Sequence, residues 1–171
     1  MNELDEIWSQ MLTESAANAR AAGRHALADY LALKATNDQI RERAVRWLFD
    51  CFVELAGAAN RQNIPVEIER QDPHSFQHRG ANMVGSILRL KQGVRCLTLE
   101  AGWTRTPRDG FMRGQALAIA RISHFGIKGA TAELYLKRTD DLPEWFVLNR
   151  DESASRLEAA ELLKHFSTFL G

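Results

Sequence analysis

The hydrophobic pattern of this chain changes its period at Pro65, and that change dictates which layers the fold can contain. Upstream, apolar residues recur at helical spacing. Leu4, Ile7, Trp8, Met11 and Leu12 predict a helix over 2–21, and Leu27, Tyr30, Leu31 and Leu33 predict a shorter one over 24–34, after Gly23. Thr36 followed three residues later by Gln39 has the form of a capping box, so a third helix is expected from Ile40 to about Arg61, before Pro65. Between Trp47 and Ala56 only Asp50 and Glu54 are polar. A helix apolar on nearly all sides is expected to be buried on nearly all sides, or to offer one stripe of 40–61 to a second copy of the chain.

Downstream the period becomes 2: Ile64, Val66 and Ile68 alternate with Pro65, Glu67 and Glu69, as in a half-buried strand. Segments 83–91 and 94–103 flank Gln92-Gly93 and read as a hairpin. A two-residue turn there sets Leu88 opposite Leu97, Leu90 opposite Arg95, Ser86 opposite Leu99 and Val84 opposite Ala101, an almost wholly apolar face. The other face carries Gly85, Ile87, Arg89 and Lys91 beside Glu100, Thr98 and Cys96, with Glu100 facing Gly85. A slip of one residue would mix the two faces, so the clean partition itself supports the hairpin. Residues 104–114 read as a loop around Pro107 and Asp109-Gly110, and 115–125 alternates as a strand despite its alanines. Strands over 131–138 and 145–148 and a helix over 153–170 complete the chain. The expectation is one α+β domain over 1–171: a helical part, 1–62; an antiparallel meander of about 5–6 strands, 64–149, packed on the N-terminal helices; and a C-terminal helix, 152–171.

The 171 residues suffice to bury roughly two thirds of the unfolded surface, and an apolar share of 45% excludes a disordered chain. No apolar run approaches the ~20 residues that span a bilayer, so no membrane partner is expected. The acidic start, without an apolar stretch behind it, does not read as a secretory signal, and a cytoplasmic location is expected. Cys51 and Cys96 form no CxxC pair and read as reduced thiols within apolar patterns.

Zero net charge conceals an asymmetry. Between Arg79 and Lys128 nine Lys/Arg face two acids, Glu100 and Asp109, a net +7; residues 1–78 carry −4 and residues 129–171 carry −3. A basic strip in an acidic frame calls for an anionic partner or for neutralisation by the acidic helices. The loop holds Arg105, Arg108 and Arg113, whose guanidinium forks suit phosphate or carboxylate, with Trp103 able to stack on a base or ring. Arg89 and Arg121 extend this candidate ligand-binding set along the strands. Glu100 is the candidate catalytic carboxylate; its structural alternative is an ion pair with Arg121 or Arg89.

His74 and His78 could share a zinc ion on a helix, whereas on a strand they would lie about 13 Å apart. Pro73 and Gly80 disfavour the helix. Glu67 and Glu69 could hold Mg²⁺ from one strand face. Glu67-x-Glu69-Arg70 resembles the Glu-x-Glu-x-Lys strand of the triphosphate tunnel metalloenzymes, which implies a metal and polyphosphate site there. The resemblance covers one strand, with Gln71 in place of Lys, helical residues 1–62 ahead of it and no acid ladder on the later strands. With no Walker loop, GxGxxG or nucleophile elbow, no cofactor and no metal are expected.

These features favour a noncatalytic recognition module binding nucleic acid or a phosphorylated ligand through the basic hairpin and arginine loop. About four phosphate contacts to DNA would give a log K against log salt slope of roughly −3.6. The alternatives are a metal-dependent phosphoester-processing enzyme using Glu100 with Glu67 or Glu69, and a protein-interaction or homo-oligomerisation module using helix 40–61.

Overall fold

The computed structural model describes residues 3–171. Packing divides the chain into two compact units, Met1–Arg43 and Ala44–Gly171, with the boundary inside a helix.

In the first unit, helix α1 (Glu3–Ala21) turns back into the start of helix α2 (His25–Arg61). The predicted start at Asn2 lies outside the described residues. Gly23, at φ 74°, supplies the left-handed cap: Arg24 N–H bonds to Ala19 O and Gly23 N–H to Arg20 O, which closes α1. Arg20 pairs with Asp29, and Gln39 Nε2 donates to Ser9 Oγ, so the helices run antiparallel. Leu12, Ala16, Ala19, Ala28 and Ala35 are buried between them, small side chains that let two backbones approach closely. The two helices predicted over 24–34 and 40–61 are one. Thr36 caps nothing; its hydroxyl bonds back to Ala32 O, and no glycine or proline lies between Lys34 and Ile40 to break the run.

The second unit is built on a seven-stranded antiparallel sheet whose spatial order follows the chain: β1 (Glu67–His78), β2 (Ala81–Gln92), β3 (Arg95–Trp103), β4 (Ala118–His124), β5 (Ala132–Lys137), β6 (Glu144–Leu148) and β7 (Ala154–Arg156). Helix α3 (Ala159–Leu170) follows. The α+β antiparallel class and the strand at 115–125 stand; the strand count does not, because β7 lies where the last helix was expected to begin. Residues 154–156 carry no large apolar side chain and pair with β6 through the backbone and one ion pair, Arg156 with Glu144 at 2.7 Å.

Alternation sorts the sheet residues. One face presents Leu88, Leu90, Leu97, Leu99, Ile122, Leu134 and Leu136, all fully buried. The part of α2 from Ala44 onward covers it: Trp145 Nε1 on β6 donates to Ala44 O, and Arg70 on β1 lies over the Phe49 ring at 5.3 Å. Asn60 grips Val66 through both backbone groups and fixes the entry into β1. The helix is therefore buried along one stripe, Val45, Leu48, Phe49, Phe52, Ala56 and Ala59, rather than all round, and Trp47 stays 51% exposed. Helix α3 lies against β3, with Arg95 donating to Leu170 O at its C-terminal end.

The β2–β3 register also differs from expectation. Leu88 pairs with Leu99, Leu90 with Leu97 and Glu100 with Ile87, because the turn is Gly93-Val94 rather than Gln92-Gly93. Gly93, at φ 58°, occupies the first turn position, where glycine is favoured in a type II′ hairpin. The shift moves each strand by one residue, so every side chain keeps its face. Among the described residues no helix is long and apolar enough to cross a membrane.

Candidate functional site

The face of the sheet opposite the helices is coiled over itself. The β1–β2 hairpin tip reaches β5: His78 Nε2 lies 3.3 Å from Tyr135 Oη, and Arg79 donates to Glu133 at 2.9 Å. Under this tip Ala81, Met83, Ile119 and Tyr135 form a small second core with Ala116, flanked by Phe76, Met112 and Leu148. The loop after β3 thus covers one end of the concavity. Asp109 organises the loop by accepting from the backbone N–H groups of Thr106 and Arg105 and from the Thr106 hydroxyl, bonds that hold its carboxyl below the ordinary value.

At the centre stands Glu100, with 14% of its side chain exposed. His74 Nε2 donates to one carboxylate oxygen at 2.9 Å and Arg121 to the other at 2.5 Å. Burial works against the charge, but these two hydrogen bonds and the Arg121 cation together outweigh it and keep the carboxyl below its usual range. Gly85 does not make room for a ligand beside Glu100. It pairs with Gly102, and a Cβ at Gly85 would overlap the Ala101 carbonyl. The missing side chain permits close backbone approach, and Glu100 takes the ion-pair alternative with Arg121.

A second network adjoins the first. Tyr135 Oη donates to Glu133 at 3.2 Å and accepts from His78, while Arg79 binds the same carboxylate. Desolvation pushes the buried His78 imidazole down, keeping it neutral, and pushes the Tyr135 phenol up. Two carboxylates, two guanidinium groups, two imidazoles and a phenol therefore line one concave face.

The open half of this face continues through cross-strand neighbours: Arg89 beside Thr98, Thr98 beside Ser123, and Arg121 two residues along β4. Directly opposed side chains lie about 4.5–5.5 Å apart at Cβ, so two cations and two hydroxyls are neighbours on this face, with Glu69 opposite Arg89 on its β1 side. Among the described residues Arg89 makes no ion pair.

Of the other sequence candidates, Trp103 is buried on the helix-covered face, with Arg105 stacked over its ring at 4.0 Å. Arg113 approaches Glu152 at 3.8 Å, and Arg108 is exposed in the loop. The structure brings Arg89, Arg121 and Glu100 together and leaves Arg105, Arg108 and Arg113 with separate neighbours. Glu69 pairs with Lys91, and Glu67 is exposed near the start of β1. Because His74 and His78 sit on a strand, each serves a different network; among the described residues no three His, Cys, Asp or Glu side chains gather as metal ligands.

Ser123, Glu133 and Tyr135 were not singled out from the sequence; His78 was read only as a zinc candidate, Arg79 only as the edge of the basic strip and Thr98 only as a hairpin neighbour. Alternation along the strands gave the signal for Thr98 and Ser123, which share a face with Glu100. Nothing local signals the contact between His78 and Tyr135, which depends on how far the sheet coils. The fold and this face define a class: a helix-backed antiparallel meander with a charged network on its free face. No family model matches the chain, and neither a curated protein nor a solved structure matches it.

Proposed function

We propose that this protein is a noncatalytic recognition module, working in the cytoplasm, that holds a phosphorylated small ligand at Arg89, Thr98, Arg121 and Ser123. One observation carries the reading: Arg89, which among the described residues makes no ion pair although Glu69 stands opposite it, lies on the same face as Arg121, whose guanidinium is bound by Glu100. Glu100, itself fixed by His74, would set the fork that meets the phosphate. A compact ligand suits the charges better than a polyanion does, because Arg79, Lys91, Arg113 and Arg121 of the basic strip already have acidic neighbours.

Calorimetric titration with inorganic phosphate and with a single-stranded DNA oligonucleotide tests this. Phosphate binding that weakens about tenfold in Arg89→Ala supports it. Binding confined to DNA, with a salt slope near −3.6, would return the reading to nucleic acid. The assembly alternative draws on the exposed Trp47, beside a groove of about 310 Å³ lined by Pro143, Trp145 and Leu157. Light scattering that reports a monomer at every concentration would remove its homomeric form.

A further inference from the structure

On the other side of the second unit, a cleft of about 470 Å³ opens between α3, the start of β5 and the β6–β7 hairpin. That volume lies within the range of small-molecule sites. Arg150, Glu161 and Lys164 line it, and among the described residues none of them makes an ion pair. Both signs of charge line one concavity here, whereas four cations of the basic strip, Arg79, Lys91, Arg113 and Arg121, are paired with acids. The cleft carries one net positive charge at neutral pH, and Ile127 and Val147 add an apolar surface.

His165 on α3 stands in the cleft wall. Behind it the buried His124 on β4 brings Nε2 to 3.1 Å from His165 Nδ1, with the two rings stacked at 5.4 Å. A neutral pair holds one N–H between these nitrogens; one further proton would make the pair cationic.

We infer that this cleft binds a small organic carboxylate, its anionic end between Arg150, Lys164 and His165 and its short apolar part on Ile127 and Val147, with one proton taken up from solvent by the His124–His165 pair. The charged groups acting on the pair are Glu161 and Lys164 on the helix of His165; Arg150 from the β6–β7 hairpin lines the same cleft, and the β4–β5 turn contributes no charge to the lining. Desolvation lowers both imidazoles and His124 lowers His165 further, so the histidine pair starts neutral. An arriving anion favours the charged form. The complex then holds more protons than the free protein, and affinity rises as pH falls, by at most about tenfold per unit for one proton.

The test is calorimetric titration of the full chain with butyrate, acetate and inorganic phosphate between pH 5.5 and 8, repeated in two buffers of different ionisation enthalpy to count protons. Butyrate should bind more tightly than acetate, with uptake of one proton. Lys164→Ala and Arg150→Ala should each weaken butyrate about tenfold, while Arg89→Ala, on the opposite face of the sheet, leaves it unchanged. His165→Gln should retain binding at pH 8 and lose its pH dependence. Should that variant fail to fold, imidazole Cε1 proton shifts in the unaltered protein must move to higher pH on butyrate addition. Binding without proton uptake, phosphate bound by Arg89→Ala as tightly as butyrate, or no butyrate binding at all would overturn the proposal.

Discussion

The two faces of the sheet are made by the same strands, one residue out of step, and they do opposite work. The helix-covered face is closed: Leu88, Leu90, Leu97, Leu99, Ile122, Leu134 and Leu136 retain no contact with water. The concave face keeps Arg89, Thr98, Glu100, Arg121 and Ser123 half-buried, with each of the Glu100 oxygens bonded. Apolar burial stabilises in proportion to area wherever it occurs, whereas a half-buried charge is tolerated only where its partners are placed. The comparison teaches that stability resides on one face, which leaves the other free to hold a strained or exchangeable polar arrangement.

Substitutions should separate the faces by size of effect. Phe52→Ala, on the stripe of α2 against the closed face, should cost about 3–5 kcal/mol in chemical denaturation; a loss below 1 would show that this layer is not where the stability lies. Gly85→Ala pushes a methyl into the Ala101 carbonyl between β2 and β3 and should cost about 1–3 kcal/mol, together with a downfield or upfield displacement of neighbouring amide resonances. Glu100→Gln should cost less, about 1–2 kcal/mol, because Arg121 remains partly solvated and screened.

The same substitution sharpens the comparison through pH. The Glu100 carboxyl is lower in the folded than in the unfolded state, so its contribution is complete above the unfolded value and declines as pH falls through the folded one. The unaltered protein should lose stability over that acid range, and Glu100→Gln should lose less. Parallel acid curves for the two would show that the charge contributes nothing. Trp47→Ala, on the exposed side of α2, should change stability by less than about 0.5 kcal/mol.

The closed face was legible from the sequence because it depends only on parity. Leu88, Leu90, Leu97 and Leu99 fall on one side whichever of the two turns is used, so an incorrect register at Gln92-Gly93 did no harm to the face. The ion pair of Glu100 with Arg121 was among the alternatives, since both lie on adjacent strands. The rest of the concave network was hidden. His74 meets Glu100 across β2 after an irregularity between Gln71 and His74, and His78 meets Tyr135 across a separation of 57 residues. Local pattern gives strand and face; it does not give the coiling that brings the edge of a sheet over its own middle. Thr36 misled for the same reason in reverse, since a hydroxyl with a glutamine three residues on is also compatible with a helix interior when nothing breaks the run.

Strand order that copies chain order has a consequence for synthesis. Each hairpin can close as soon as its second strand leaves the ribosome, so the meander has no strand that must wait for a remote neighbour. Helix α2 has no such advantage. Its Ala44 carbonyl meets Trp145 only after another 101 residues have been made, so the cover over its Val45, Leu48 and Phe52 stripe is completed late in synthesis.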